Sequence, residues 1–131
     1  MIFVDTSAWF ASFVPDDDHY QVASDWFDNN AQPLLTTDYV VDEILTLLKA
    51  RGQLPVALSL GQQFFDGALA QVYHLTEDDL RLAWETFRRF SDKEWSFTDC
   101  TSKVVIEKLG VTQAFGFDHH FRQFGSVIVV P

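Results

Sequence analysis

Five short, largely apolar segments, Ile2–Val4, Pro33–Thr36, Val72–Leu75, Ala114–Phe117 and Val127–Val130, are separated by stretches long enough for helices. That alternation constrains the fold more than any other feature. Two parallel strands need a crossover of about a dozen residues, usually a helix, and a sheet covered on both faces has strands with no polar side. The pattern predicts an α/β chain: one domain over residues 1–131, with a central parallel sheet of about five strands between helices.

The helical stretches carry their own start and stop signals. Thr6-Ser7 is read as the cap of a helix through Trp9, Phe10 and Phe13, broken by Pro15 and the Asp16-Asp17-Asp18 run. A second amphipathic helix follows from about His19 to Asn29, burying Val22, Trp26 and Phe27. Thr37 or Asp38 caps a third through Val40, Val41, Ile44, Leu45, Leu47 and Leu48, stopped by Gly52. Leu54–Leu69 is helical. Thr76-Glu-Asp-Asp79 forms a capping box for a helix through Leu80, Trp84 and Phe87, and Phe97–Leu109 is helical up to Gly110. His119–Phe124 is a short helix or loop.

Four acidic residues stand where these segments begin or end: Asp5 after the first strand, Glu43 on the third helix, Asp99 at the start of another, Asp118 after an apolar strand. Two like charges at about 4 Å cost on the order of 4 kcal/mol near a protein surface. A divalent cation turns that repulsion into ligation, so the joint placement points to a metal site at the carboxyl ends of the strands. Each acid also has a plainer use. Asp5 can cap a helix, and Asp99 can close a capping box with Ser96. Asp42 and Glu43 both lie off the apolar stripe, and periodicity does not choose between them. The adjacent pair His119-His120 is expected to diverge rather than ligate together. The triple Asp lacks the alternating ligands, central Gly and closing Glu of a calcium loop.

A formal charge of −10 argues against broad electrostatic adhesion to nucleic acid. Basic residues do cluster locally, with Arg81, Arg88, Arg89 and Lys93 just upstream of Asp99. Lys103 lies one turn beyond it, in reach of Asp99 or of a phosphate. Thirteen Phe, four Trp and three Tyr exceed what so small a core readily hides, which predicts a homodimer or a protein-bound state. The single Cys100 excludes an internal disulfide, and no run approaches a membrane span. The expectation is a cytoplasmic protein.

The segments Phe3-Val-Asp-Thr-Ser7, Asp42-Glu43, Ser96-Phe-Thr-Asp99-Cys and Phe117-Asp118-His-His-Phe121 together resemble a PIN domain of the VapC toxin type. The resemblance covers essentially the whole chain and implies a PIN-like α/β/α sandwich. It further implies Asp5, Glu43, Asp99 and Asp118 as metal-binding catalytic acids, with Ser7 and Thr98 as supporting polar residues. The implied activity is endoribonuclease cleavage with Mg²⁺ or Mn²⁺, with RNA contact at Arg88, Arg89, Lys93 and Lys103 and restraint by a small antitoxin. Trp9, Phe10, Phe13, Trp26 and Phe27 are the candidate aromatics for that partner. Two rival readings are a non-catalytic PIN-like module binding RNA or protein, and an aspartate-based phosphohydrolase. The latter lacks a second Asp two residues after Asp5, where Ser7 stands.

Overall fold

The computed structural model describes residues 1–131, and its first strand is also the middle of its sheet. In chain order the elements are β1 (Ile2–Val4), α1 (Thr6–Phe13), α2 (Tyr20–Asn29), β2 (Leu34–Thr37), α3 (Asp38–Ala50) and α4 (Leu54–Phe65). There follow β3 (Gln71–Tyr73), α5 (Glu77–Arg89), α6 (Phe97–Leu109), β4 (Gln113–Phe115), α7 (His120–Gln123) and β5 (Ile128–Val130). The five strands form one sheet in the order β3-β2-β1-β4-β5, with every neighbouring pair parallel. This is the expected five-stranded α/β sandwich.

Burial follows strand position. Every residue of β1 and β2 is buried, whereas the edge strands β3 and β5 are exposed or half-buried. Interior parallel strands lie under helices on both faces, which is why IFV and LLTT carry no charge. The core includes Phe3, Leu35, Ile44, Phe115 and Phe121, all at 0% exposure. Trp9, also fully buried, sits edge-on to Phe64 at 4.9 Å and donates its indole N–H to Thr36 Oγ1. Truncating a side chain so placed costs about 3–5 kcal/mol.

The chain runs β1 to β2 to β3 toward one edge, then returns to place β4 on the other side of β1. The reversal leaves a crevice beyond the carboxyl ends of β1 and β4, the place where open α/β sheets build their sites. The Asp5 backbone N–H donates to Phe115 O at 3.0 Å and closes the bottom of that crevice.

Several boundaries differ from the sequence expectation. α1 is capped by Asp5 rather than by Thr6 or Ser7, because Asp5 is the last extended residue and its side chain accepts the Thr6 N–H. α4 stops at Phe65 rather than Leu69: Asp66 closes it, and Gly67 takes φ 70°, a left-handed conformation that glycine adopts without penalty. α2 turns Ala23, Trp26 and Phe27 inward, as expected of the last two, but Val22 is 53% exposed. α5 likewise buries Asp79 and Ala83, leaving Trp84 and Phe87 largely in solvent.

Candidate active site

Asp5, Glu43, Asp99 and Asp118 line one cavity of about 320 Å³ at the switch-point crevice, together with Thr6, Ser7, Leu47, Glu94, Ser96 and His120. Residues from β1, α3, α6 and the segment after β4 thus meet at one place. The lining holds no Lys or Arg. Asp42, which periodicity leaves level with Glu43, lines a different cavity with Val41, Leu45, Phe64 and Phe65.

Asp5 is held from both sides. Its Oδ1 accepts the Thr6 N–H at 2.7 Å and its Oδ2 accepts the Ser7 hydroxyl at 2.6 Å. Ser7 Oγ in turn accepts the Phe117 N–H at 3.0 Å, so one hydroxyl ties the end of β1 to the segment after β4. Gly116 allows this approach: a Cβ there would stand 3.2 Å from Asp5 Cβ and 3.3 Å from its Oδ2. Burial pushes the Asp5 carboxyl up to about 7; the Ser7 hydrogen bond opposes that rise, and the charges of Asp99 and Asp118 add to it.

For Asp99, the capping box and the cavity are both real. Ser96 Oγ accepts the Asp99 N–H and Asp99 Oδ2 accepts the Ser96 N–H, each at 3.0 Å, while the residue also lines the acidic cavity. Of its two carboxylate oxygens, Oδ2 takes the Ser96 N–H and Oδ1 takes part in neither bond of the cap. Burial raises the Asp99 carboxyl; hydrogen bonds from Ser96 and His120 work against that, and the Asp118 charge adds to it.

His120 and Glu94 were not expected in the cavity. His120 Nδ1 lies 2.9 Å from Asp99 Oδ2 and 3.2 Å from Asp118 Oδ1, and its backbone N–H donates to Asp118 Oδ1 at 2.9 Å. Adjacent histidines diverge on a regular strand or helix, but residues 118–120 turn into α7, and the His119 and His120 rings meet with centroids 4.5 Å apart. One ligand atom from each of Asp118, His119 and His120 falls within 4.8 Å of the others. Glu94 stands two residues before the Ser96 cap, and nothing in the local sequence marks it.

Other expected residues lie elsewhere. Thr98 is absent from the cavity lining; its carbonyl accepts the Thr101 hydroxyl. Lys103 turns away from Asp99 to pair with Glu107, and Arg88 pairs with Glu85. Arg89 lies over the Phe90 ring at 5.5 Å, and Lys93 approaches Asp92 at 3.9 Å. The basic stretch is thus largely compensated by neighbouring acids.

The donor set suits a hard divalent cation. Carboxylate oxygens from several segments face one small hollow without a compensating Lys or Arg, and the Thr6 hydroxyl in its lining is buried without a partner.

Comparison with known proteins agrees with this geometry. The PIN domain profile matches residues 2–127. The chain is 34% identical over 131 residues to the 23S rRNA-specific endonuclease VapC20 of Mycobacterium tuberculosis, covering 100% of this chain and 99% of that protein. A VapC ribonuclease of Archaeoglobus fulgidus is 37% identical over 90 residues, which covers 67% of this chain and 55% of that protein. The crystal structure of M. tuberculosis VapC20, described as a sarcin–ricin loop cleaving toxin, superposes with a TM-score of 0.92 at 32% identity, each chain fully covered. FitAcB from Neisseria gonorrhoeae shares the fold alone, at TM-score 0.72 and 13% identity over 100% of this chain and 97% of that one. With its sheet order, its acidic crevice and a match over nearly its whole length, the chain belongs to the PIN-domain family and resembles that family's VapC members.

Proposed function

We propose that the protein is an endoribonuclease of the VapC toxin type that depends on Mg²⁺ or Mn²⁺ held by Asp5, Glu43, Asp99 and Asp118. The observation that carries this reading is the convergence of these four carboxylates on one cavity whose lining holds no Lys or Arg. When bound, such an ion supplies positive charge to the scissile phosphate and acidifies water for attack.

The chain's own residues prepare that chemistry. Ser7 and the Thr6 N–H fix the rotamer of Asp5, and the Ser96 cap fixes Asp99 while leaving its Oδ1 free. His120 links Asp99 to Asp118, so two ligands from different elements move as one. Outer hydrogen bonds of this kind orient the groups that face a metal.

The test is direct. Purified protein should cut RNA with Mn²⁺ and lose that activity with EDTA. Asp5→Asn should abolish cleavage while the variant melts as a folded protein. Retained cleavage by that variant would remove Asp5 from the machinery. The sarcin–ricin loop named for the M. tuberculosis relative is the first RNA to try.

The same reading places the protein in the cytoplasm, under the control of a small antitoxin and as a homodimer. No helix is long and apolar enough to cross a membrane. Of the aromatic residues nominated for a partner surface, Trp9 is wholly buried and Phe10, Phe13, Trp26 and Phe27 pack against the core. Phe65 at 81% exposure, Trp84 at 54% and Phe87 at 40% are rings available for association. Co-purification with the product of a neighbouring reading frame, and the mass of the isolated chain in solution, check the two associations separately.

A further inference from the structure

Beside the acidic cavity lies a smaller hollow of about 230 Å³, lined by Ser7, Phe10, Asp17, His19, Leu47, Arg51 and Phe117. Ser7 and Leu47 line both hollows, so the two are parts of one groove. Each is near or below the roughly 300 Å³ at which ordinary small-molecule pockets begin, a size suited to one portion of an extended ligand.

The smaller hollow differs sharply in chemistry from the larger. His19 and Phe117 stack almost parallel, with centroids 4.5 Å apart and 7° between the planes. His19 is exposed and Phe117 half-buried, so the imidazole is the solvent-side member of the stack. Arg51, the C-cap of α3, is exposed, and unlike Arg81 and Arg88, which pair with Glu77 and Glu85, it has no carboxylate partner. Asp17 is turned to the backbone, its Oδ1 accepting the His19 N–H at 2.9 Å. The stack is also tied to the acidic cavity. The Phe117 N–H donates to Ser7 Oγ, which donates to Asp5 Oδ2, so two hydrogen bonds separate the aromatic platform from a catalytic acid.

An aromatic face beside an unpaired guanidinium is what an unpaired nucleotide requires. Bases splayed from single strands and loops stack on such rings, and Arg takes the adjoining phosphate. A chain with net charge −10 has no broad phosphate grip, which makes a local seat of this kind the more important for holding RNA. Resting on the ribonuclease reading above, we propose that this hollow seats the unpaired nucleotide next to the scissile phosphate. Its base extends the Phe117–His19 stack, and Arg51 binds the neighbouring phosphate.

The experiment uses a synthetic hairpin RNA carrying the sarcin–ricin loop, and the same hairpin with an abasic residue on either side of the cleavage point. Binding is read by fluorescence anisotropy with the cleavage-deficient Asp99→Asn protein in Mn²⁺, and KM and kcat with the otherwise wild-type protein. His19→Ala should weaken binding and raise KM about tenfold, the scale of losing one base–aromatic stack, with kcat little changed. His19→Phe should restore both. Arg51→Ala should weaken binding and reduce its salt dependence. One of the abasic hairpins should bind poorly and show no further loss with His19→Ala, because the variant and the missing base remove the same contact. Mn²⁺-induced thermal stabilisation should be the same in every His19 and Arg51 variant.

Wild-type affinity and KM in both His19→Ala and Arg51→Ala would overturn the nucleotide seat while leaving the ribonuclease in place. A His19→Ala loss that persists in full on both abasic hairpins would overturn it equally. Binding that depends on His19 and Arg51 without cleavage by the wild-type chain would support the seat and sink the ribonuclease reading instead.

Discussion

His120 joins Asp99 to Asp118: its ring nitrogen lies 2.9 Å from one carboxylate and 3.2 Å from the other, with only 14% of its side chain exposed. Two acids from separate elements are thereby tied to one imidazole. His120→Leu should weaken Mn²⁺ binding about tenfold, the low end of what losing a ligand-orienting partner costs, and lower cleavage with it. His120→Asn, whose amide nitrogen can donate near the Nδ1 position, should recover most of both. Calorimetric Mn²⁺ titration measures the first quantity; tighter binding by His120→Leu would show that the imidazole competes with the ion rather than positioning its ligands.

Asp5 predicts an unusual pH dependence. Its carboxyl is raised by burial to about 7 from 3.8, so between those values the folded chain binds a proton that the unfolded chain has released. Stability without metal therefore falls as pH rises through that window, by up to about 4 kcal/mol for this group alone. Metal requires the deprotonated acid, so Mn²⁺ affinity should climb as pH rises through neutrality, with proton release. Melting temperatures from pH 5 to 8, with EDTA and with Mn²⁺, should move in opposite directions. Parallel curves would contradict the assignment.

At Asp99 the choice of substitution decides what is learned. Asp99→Asn keeps an oxygen for the Ser96 N–H, so it should abolish cleavage with little change in apo-protein stability. Asp99→Ala also removes its half of the capping box, at a further cost of about 1 kcal/mol. Urea denaturation of the two variants side by side separates the cap from the site.

Gly116 lies against the Asp5 side chain, where a methyl group would press on the carboxylate at 3.3 Å. Gly116→Ala should leave a folded protein whose kcat is down about tenfold, since displacing a catalytic group by even an ångström costs up to 10²-fold. Activity equal to wild type would mean that Asp5 tolerates the displacement.

Far from the cavity, Asp79 is 1% exposed and accepts hydrogen bonds from Tyr73 at 2.6 Å and Lys108 at 2.9 Å. Burial alone would raise its carboxyl, but the bonds from Tyr73, Lys108 and Thr76 prevail and hold it well below the usual carboxylate range. A depressed acid stabilises the fold above its ordinary pKa, and that contribution disappears as pH falls below it. Asp79→Ala should cost about 1–2 kcal/mol at neutral pH, chiefly by undoing the capping box at Thr76 and leaving the Tyr73 hydroxyl without its acceptor, since the half-exposed Lys108 ammonium stays solvated. RNA cleavage per folded molecule should stay at the wild-type level.

Most of the fold was legible because its signals are local. Ile2–Val4 and Leu34–Thr37 are uncharged for the same reason that they occupy the sheet centre, and the boxes at Thr76 and Ser96 are read from neighbours three residues apart. Asp5, Asp99 and Asp118 could be picked out by their placement at element ends, and Glu43, in the middle of α3, by resemblance. Periodicity did not separate Glu43 from Asp42; the resemblance chose Glu43, and in three dimensions the two line different cavities. Glu94 and His120 were missed because their nearness to Asp99 comes from packing: His120 is twenty-one positions from Asp99, and no periodicity spans that gap. The Lys103–Asp99 pairing failed because Glu107, also four residues away, offers an equivalent partner on the next turn.

The order in which the strands enter the sheet also sets a schedule. β1 waits at the centre for β4, whose partner register Phe3 to Ala114 spans almost the whole chain, and the last lining residue is His120. Until β4 and the turn into α7 have been made, Asp5 has no crevice to line. A chain interrupted before Asp118 and His120 therefore lacks one wall of the acidic cavity.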